Sequence, residues 1–78
     1  MKTAIVADDE PNLARHLCEQ LATVAPEIEV LAVANNGIDA LAAIARHAPD
    51  VAFLDIRMPG LDGLAVARSV PDRTRVVF

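Results

Sequence analysis

Three aspartates stand where strands end. Asp8 and Asp9 directly follow the apolar run Thr3-Ala4-Ile5-Val6-Ala7, and Asp55 directly follows Val51-Ala52-Phe53-Leu54. If the two runs are neighbouring parallel strands, all three acids lie on one edge of a sheet, the edge where open α/β sheets bind ligands. Carboxylates brought that close repel, and their pKa values rise unless a cation compensates. A hard divalent cation with oxygen ligands is the natural partner. Mg²⁺ fits best, because it takes one or two carboxylates and keeps several waters. Its open positions suit phosphate oxygens, which allows an aspartate to act as nucleophile and form an aspartyl phosphate. Charge neutralisation on the transferring group is then the main catalytic task. The bland alternative is that Asp8 and Asp9 only end a strand ahead of a helix N-terminus, where acids are favourable.

The rest of the chain supplies the elements that would hold these acids. Pro11 suits the first turn of a helix, and Leu13, Leu17, Leu21 and Val24 recur at helical spacing before Pro26. Ile28 to Ala34 is rich in β-branched residues and predicts a second strand. Asn35-Asn36-Gly37 is a turn signal, after which Ile38, Leu41, Ile44, Ala45 and Ala48 mark a second helix closed by Pro49. Met58-Pro59-Gly60 is a loop, and Asp62 is placed to cap a short third helix ended by Pro71. Arg75-Val76-Val77-Phe78 starts a fourth strand. The order β-α-β-α-β-α-β argues for an α/β fold with a parallel sheet and helices on both faces. Because the sequence stops within that last run, the chain is expected to be part of a longer one.

Composition bounds the options. The chain has 78 residues and a formal net charge of −4, which allows one small domain. Its seven Lys and Arg are scattered, so the chain alone is not expected to bind nucleic acid or an anionic membrane. Cys18 is the only cysteine, which excludes an internal disulfide and a Cys-based metal cluster. No apolar run approaches the ~20 residues of a membrane span, and the N-terminus does not read as a signal peptide. A cytoplasmic location is expected.

The motifs together resemble the receiver domain of bacterial two-component response regulators. The pieces are Ile5-Val6-Ala7-Asp8-Asp9-Glu10-Pro11, Asn36-Gly37 with Ala40-Leu41, and the run from Asp50 to Gly63 with Phe53-Leu54-Asp55-Ile56-Arg57-Met58-Pro59-Gly60 at its centre. The combination looks most like the LytTR (LytR/AlgR) branch, whose members carry a C-terminal DNA-binding domain. The resemblance implies a flavodoxin-like sheet of strand order 2-1-3-4-5, the order that places a ligand at the switch point between strands one and three. It implies Asp55 as phosphoacceptor, Asp9 as a direct metal ligand, Asp8 as its neighbour reaching the metal through water, and Arg57 as the residue whose main-chain carbonyl completes the Mg²⁺ site. It further implies a sensor histidine kinase as phosphodonor, and DNA contact only through an output domain. Residues 1–78 correspond to about the first two thirds of the family's domain. The fifth strand, the last helices and the output domain fall outside them, as do the strand-four hydroxyl residue, the strand-five lysine and the α4-β5-α5 face often used for homodimers. On that basis the chain alone is expected to be a weak switch with an open fourth-strand edge.

Other readings remain. A metal-dependent phosphatase with an Asp nucleophile would want a second Asp two residues after Asp55, where Arg57 stands. A nucleotide-binding module would want a glycine-rich loop in place of Asp-Asp-Glu-Pro. A structural interaction module that is never phosphorylated is the fourth. The receiver reading makes the domain a phosphoacceptor, not an enzyme with turnover. Glu10, Asp39, Asp50, Asp62 and Asp72 read as turn, cap or surface acids, and His16 and His47 as surface residues.

Overall fold

A computed structural model describes residues 2–78. Four strands form one parallel sheet: β1 (Lys2–Ala7), β2 (Ile28–Ala34), β3 (Val51–Leu54) and β4 (Arg75–Val77), in the order β2-β1-β3-β4. Three helices connect them: α1 (Pro11–Val24), α2 (Gly37–His47) and α3 (Gly63–Ser69). The flavodoxin-like α/β architecture expected from the alternation of strands and helices is therefore present, and the strand order reverses at β1, between β2 and β3. The fourth strand ends at Val77, one residue short of the sequence expectation.

Alternation along the strands divides the core between two sheet faces. Ile5, Ala7, Ala52 and Leu54 join Ala40 and Ile44 of α2 and Val66 of α3. Val6 joins Ala14 and Leu21 of α1, with Phe53, Val30 and Ile28 partly buried around them. The central strand β1 is buried on both faces, which is why its run from Ala4 to Ala7 is wholly apolar. Pairing of β1 with β2 slips by one residue after Ala4: Ala4 faces Val30, but Ile5 faces Ala32. That bulge is not visible in the apolar pattern.

The helix faces differ from the spacing of large apolar residues. On α1, Leu13 and Val24 are 58% and 76% exposed, while Ala14 and Leu21 are buried and Leu17 and Cys18 pack beside them. On α2, Ile38 is 63% exposed and Ala40 and Ile44 face the sheet. Each inner stripe mixes small and large residues, Ala14 and Cys18 with Leu17 and Leu21 on α1 and Ala40 with Leu41 and Ile44 on α2, and only the outlying Leu13, Val24 and Ile38 turn outward.

Caps fix where the helices begin. The Asn36 side chain accepts from the Asp39 amide at 2.8 Å, and its own amide donates to the Asp39 carboxylate at 3.0 Å. Asp62 accepts from the Ala65 amide at 2.8 Å, as a cap should. α2 is capped after His47 by Ala48, a non-glycine residue in the left-handed region with φ 47°, just before the buried Pro49.

The end of the sheet away from the acids is closed by Asp50. Its carboxylate accepts from the Thr3 amide at 2.8 Å and from the Thr3 hydroxyl at 3.3 Å. Its carbonyl accepts from the Arg75 amide at 2.8 Å. Nearby, the buried Thr74 hydroxyl donates to the Pro49 carbonyl at 2.7 Å.

Candidate metal and phosphoryl site

Asp8 and Asp55 leave the sheet at the same level because the ladder holds both. The Asp8 amide donates to the Ala34 carbonyl at 3.0 Å, and the Asp55 amide donates to the Ala7 carbonyl at 2.9 Å. Each residue is thus bonded to the neighbouring strand at the last step before the chain turns away. Asp9 follows in the turn that leads into α1.

The result is a cluster in which Asp8, Asp9 and Asp55 each present a carboxylate oxygen, all within 4.8 Å of one another. Asp8 and Asp55 are half-buried and Asp9 is exposed. Local amides orient the two half-buried acids. The Glu10 amide donates to Asp8 Oδ1 at 2.9 Å, and the Arg57 amide donates to Asp55 Oδ1 at 3.1 Å. These are the same turn used twice, an aspartate bonded to the amide two residues on. Among the described residues no hydrogen bond reaches the other oxygen of either carboxylate, so each keeps a free acceptor.

This donor set fits a small hard cation. Three carboxylate oxygens at that spacing can approach one ion, and partial exposure leaves room for water on the remaining positions. An open trough of about 610 Å³ beside the cluster is lined by Asp9, Ile56, Arg57, Met58, Pro59 and Asp62. Arg57 is exposed there and is tied to the cluster through its amide.

The loop after Asp55 is anchored rather than loose. Met58 is buried in the core on the α2–α3 side, and Leu61 packs against the same cluster. Pro59 and Gly60 stay exposed between them, and Gly60 takes a φ of 79°, a left-handed conformation that favours glycine. Met58 thus holds the loop from inside the core. Asp62 caps α3 and lies on the trough without joining the acid cluster. Asp39 and Asp50 serve the α2 cap and the opposite sheet end. His16 is exposed and His47 half-buried, both apart from the acids.

Comparison with known proteins gives this geometry a family. Residues 4–78 match the model of the response regulator receiver domain. The chain belongs to that family. An uncharacterized response regulatory protein of Vibrio cholerae is 53% identical to the receiver over 74 residues, covering 95% of this chain and 28% of that protein. The positive alginate biosynthesis regulatory protein of Pseudomonas aeruginosa is 45% identical over 73 residues, covering 88% of this chain and 28% of that protein. Among solved structures, the signal receiver domain of NarL from Mycobacterium tuberculosis superposes with a TM-score of 0.84 at 35% identity. That match covers 96% of this receiver and 62% of the NarL chain. The response regulator TrrA of Thermotoga maritima, solved with Mg²⁺-BeF, gives 0.85 at 35% identity over 97% of this receiver and 66% of that chain. The receiver thus spans less than a third of the two curated relatives and about two thirds of these solved chains. No helix among the described residues is long and apolar enough to cross a membrane.

The family is one of two-component signalling. The LytTR branch is not singled out: relatives include NarL of M. tuberculosis at 42% identity and a protein-glutamate methylesterase of Myxococcus xanthus, also at 42%.

Proposed function

We propose that this receiver accepts a phosphoryl group on Asp55 from the phosphohistidine of a sensor histidine kinase, with Mg²⁺ held by Asp8, Asp9, Asp55 and the Arg57 carbonyl. The observation that carries the proposal is the approach of the three carboxylates to within 4.8 Å at the point where strand order reverses.

The step is a displacement at phosphorus. An Asp55 carboxylate oxygen forms the new P–O bond, the P–N bond to the donor imidazole breaks, and its electron pair returns to the ring nitrogen. Bound Mg²⁺ supplies neutralisation of the charge on the transferring oxygens. The protein's own share is placement. Asp55 is held at its amide by Ala7 and at Oδ1 by the Arg57 amide, which leaves its second oxygen to react. Asp8 is held in the same manner by Glu10. The domain is a phosphoacceptor in the cytoplasm and not an enzyme with turnover.

The output we propose is a DNA-binding domain of the LytTR branch that regulates transcription. The motif combination around Asp8-Asp9 and Asp55 supports the branch. The names of the M. tuberculosis and P. aeruginosa relatives, a transcriptional regulatory protein and an alginate biosynthesis regulator, support a regulatory output.

The test is phosphorylation of the intact protein by a small acyl-phosphate donor in the presence of Mg²⁺. A hydroxylamine-labile label is expected, absent from Asp55→Asn and absent without Mg²⁺. Label retained by Asp55→Asn overturns Asp55 as acceptor.

A further inference from the structure

We infer that Gly63 and Gly37 are positioning residues for the acid cluster. Lacking side chains, they let the first turns of α3 and α2 close onto the main chain of the loop from Asp55 to Gly63, and that closure sets the direction of the Asp55 carboxylate. The inference rests on the cation-site reading above.

Neither glycine is there for its backbone freedom. Among the glycines only Gly60 has a positive φ. At ordinary helical dihedrals alanine is the better helix former, so propensity alone would favour replacing both. Close approach is what forbids it. A Cβ on Gly63 would overlap the Asp55 carbonyl oxygen, and would lie 2.9 Å from the Asp55 carbonyl carbon and 3.0 Å from the Ile56 Cα. A Cβ on Gly37 would overlap the Leu61 carbonyl oxygen and lie 2.6 Å from both its carbon and its Cβ. All but one of these atoms are main chain, which cannot swing aside as the end of a long side chain can.

The two contacts brace the loop from opposite ends. Gly63 bears on its first residue and Gly37 on Leu61, with Met58 and Leu61 seated in the core between and beside them. Asp55 cannot retreat from a new Cβ as a unit, because its amide is bonded to Ala7 at 2.9 Å. The main chain that follows, from the Asp55 carbonyl through Ile56, must shift instead. Two bonds are made by the next peptide, Ile56–Arg57. The Ile56 carbonyl accepts from the Gly63 amide at 2.9 Å, and the Arg57 amide donates to Asp55 Oδ1 at 3.1 Å. Displacing that peptide therefore moves the Arg57 amide and, with it, the Asp55 carboxylate that the amide orients.

Gly60 provides the contrast within the same loop. A Cβ there would meet only the end of the Ile38 side chain, at 3.6 Å, an ordinary contact. Substituting it strains the backbone at positive φ but does not press on Asp55.

The experiment is calorimetric titration of the intact protein with Mg²⁺, run beside thermal melts without the metal, for wild type, Gly63→Ala, Gly37→Ala and Gly60→Ala. Residues that orient metal ligands from outside the coordination sphere typically alter metal affinity 10–100-fold. Gly63→Ala and Gly37→Ala are expected to bind Mg²⁺ at least about tenfold more weakly while still melting cooperatively. Gly60→Ala is expected to melt earlier yet keep its affinity. Equal Mg²⁺ affinity in all four proteins overturns the inference alone. So does failure of Gly63→Ala and Gly37→Ala to fold where Gly60→Ala folds, since both glycines would then serve the fold and nothing finer. A wild-type protein that takes up no Mg²⁺ overturns the cation site and this inference with it.

Discussion

The Asp55 amide donates to the Ala7 carbonyl at 2.9 Å, directly beneath the point where Asp8 and Asp55 bring their carboxylates together. The sheet ladder thus ends in the same step that assembles the acid cluster. Like charges are being held together by backbone bonds that have other reasons to form. Each exposed or half-exposed pair at this range costs on the order of 1 kcal/mol or less, because water screens it.

Removing one charge should therefore stabilise the metal-free protein and cost it the metal. Asp9→Asn removes two such pairs and is expected to raise the metal-free Tm, by no more than about 16 °C, since a domain of this size gains ~4–8 °C per kcal/mol. Saturating Mg²⁺ should raise the wild-type Tm, and a ligand at a hundred times its Kd contributes ~2.7 kcal/mol. Asp9→Asn should lose most of that gain. Thermal melts with and without Mg²⁺ check both halves, and a metal-free variant that melts below wild type contradicts the account of repulsion.

Asp62 is a separate case, because it borders the trough without joining the cluster. Its Oδ1 accepts from the Ala65 amide at 2.8 Å, so its work is at the start of α3. Asp62→Ala should cost about 1 kcal/mol, a usual value for a lost N-cap, and Asp62→Asn much less. Neither should change Mg²⁺ affinity appreciably. Denaturant unfolding and Mg²⁺ titration of the same two variants test this, and a metal affinity that falls with Asp62→Asn would make Asp62 a ligand.

The helix registers give a third prediction. Ile44 is 2% exposed between α2 and the sheet, whereas Leu13, although of similar size and also helical, is 58% exposed. Ile44→Ala should cost about 2–5 kcal/mol, a large part of the stability a domain this small can have, whereas Leu13→Ala should fall within about 0.5 kcal/mol of wild type. Equilibrium unfolding in urea separates the two, and equal losses would place Leu13 in the core.

That contrast also shows what the sequence could and could not disclose. The strands Ile28–Ala34 and Val51–Leu54, the cap at Asp62 and the meeting of Asp8, Asp9 and Asp55 were legible, because periodicity, turn residues and the rule for parallel strand ends each depend on local pattern. The inner faces of α1 and α2 were legible only in part: Leu17, Leu21, Leu41 and Ile44 do face the core. Leu13, Val24 and Ile38, grouped with them by size, turn outward, and the small Ala14 and Ala40 complete the stripe against the sheet. The slip between Ala4 and Ile5 was hidden for another reason: register in a strand buried on both faces leaves no alternation to read. Gly37 appeared as part of a turn and Gly63 as part of a motif. Their close approaches to Leu61 and Asp55 exist only once α2 and α3 are docked.

Asp50 contributes to how the fold responds to acid. Its pKa is lowered, first by the hydrogen bond from the Thr3 amide, against which burial works in the opposite direction, and then by the Thr3 hydroxyl and the charges of Lys2 and the N-terminus. A carboxyl whose folded pKa is depressed contributes stability that is complete above its unfolded value, near 3.9 for Asp, and is lost as pH falls through the folded value. Asp50→Ala should therefore melt below wild type by a constant margin from neutral pH down to about pH 5, and the margin should close as pH drops below about 4. Asp50→Asn keeps an oxygen for the Thr3 amide and should fall between the two at neutral pH. Melts from pH 7 to pH 3 read this directly. A margin that persists unchanged at pH 3 would mean that Asp50 holds the sheet end by shape and neutral hydrogen bonds, with no share from its charge.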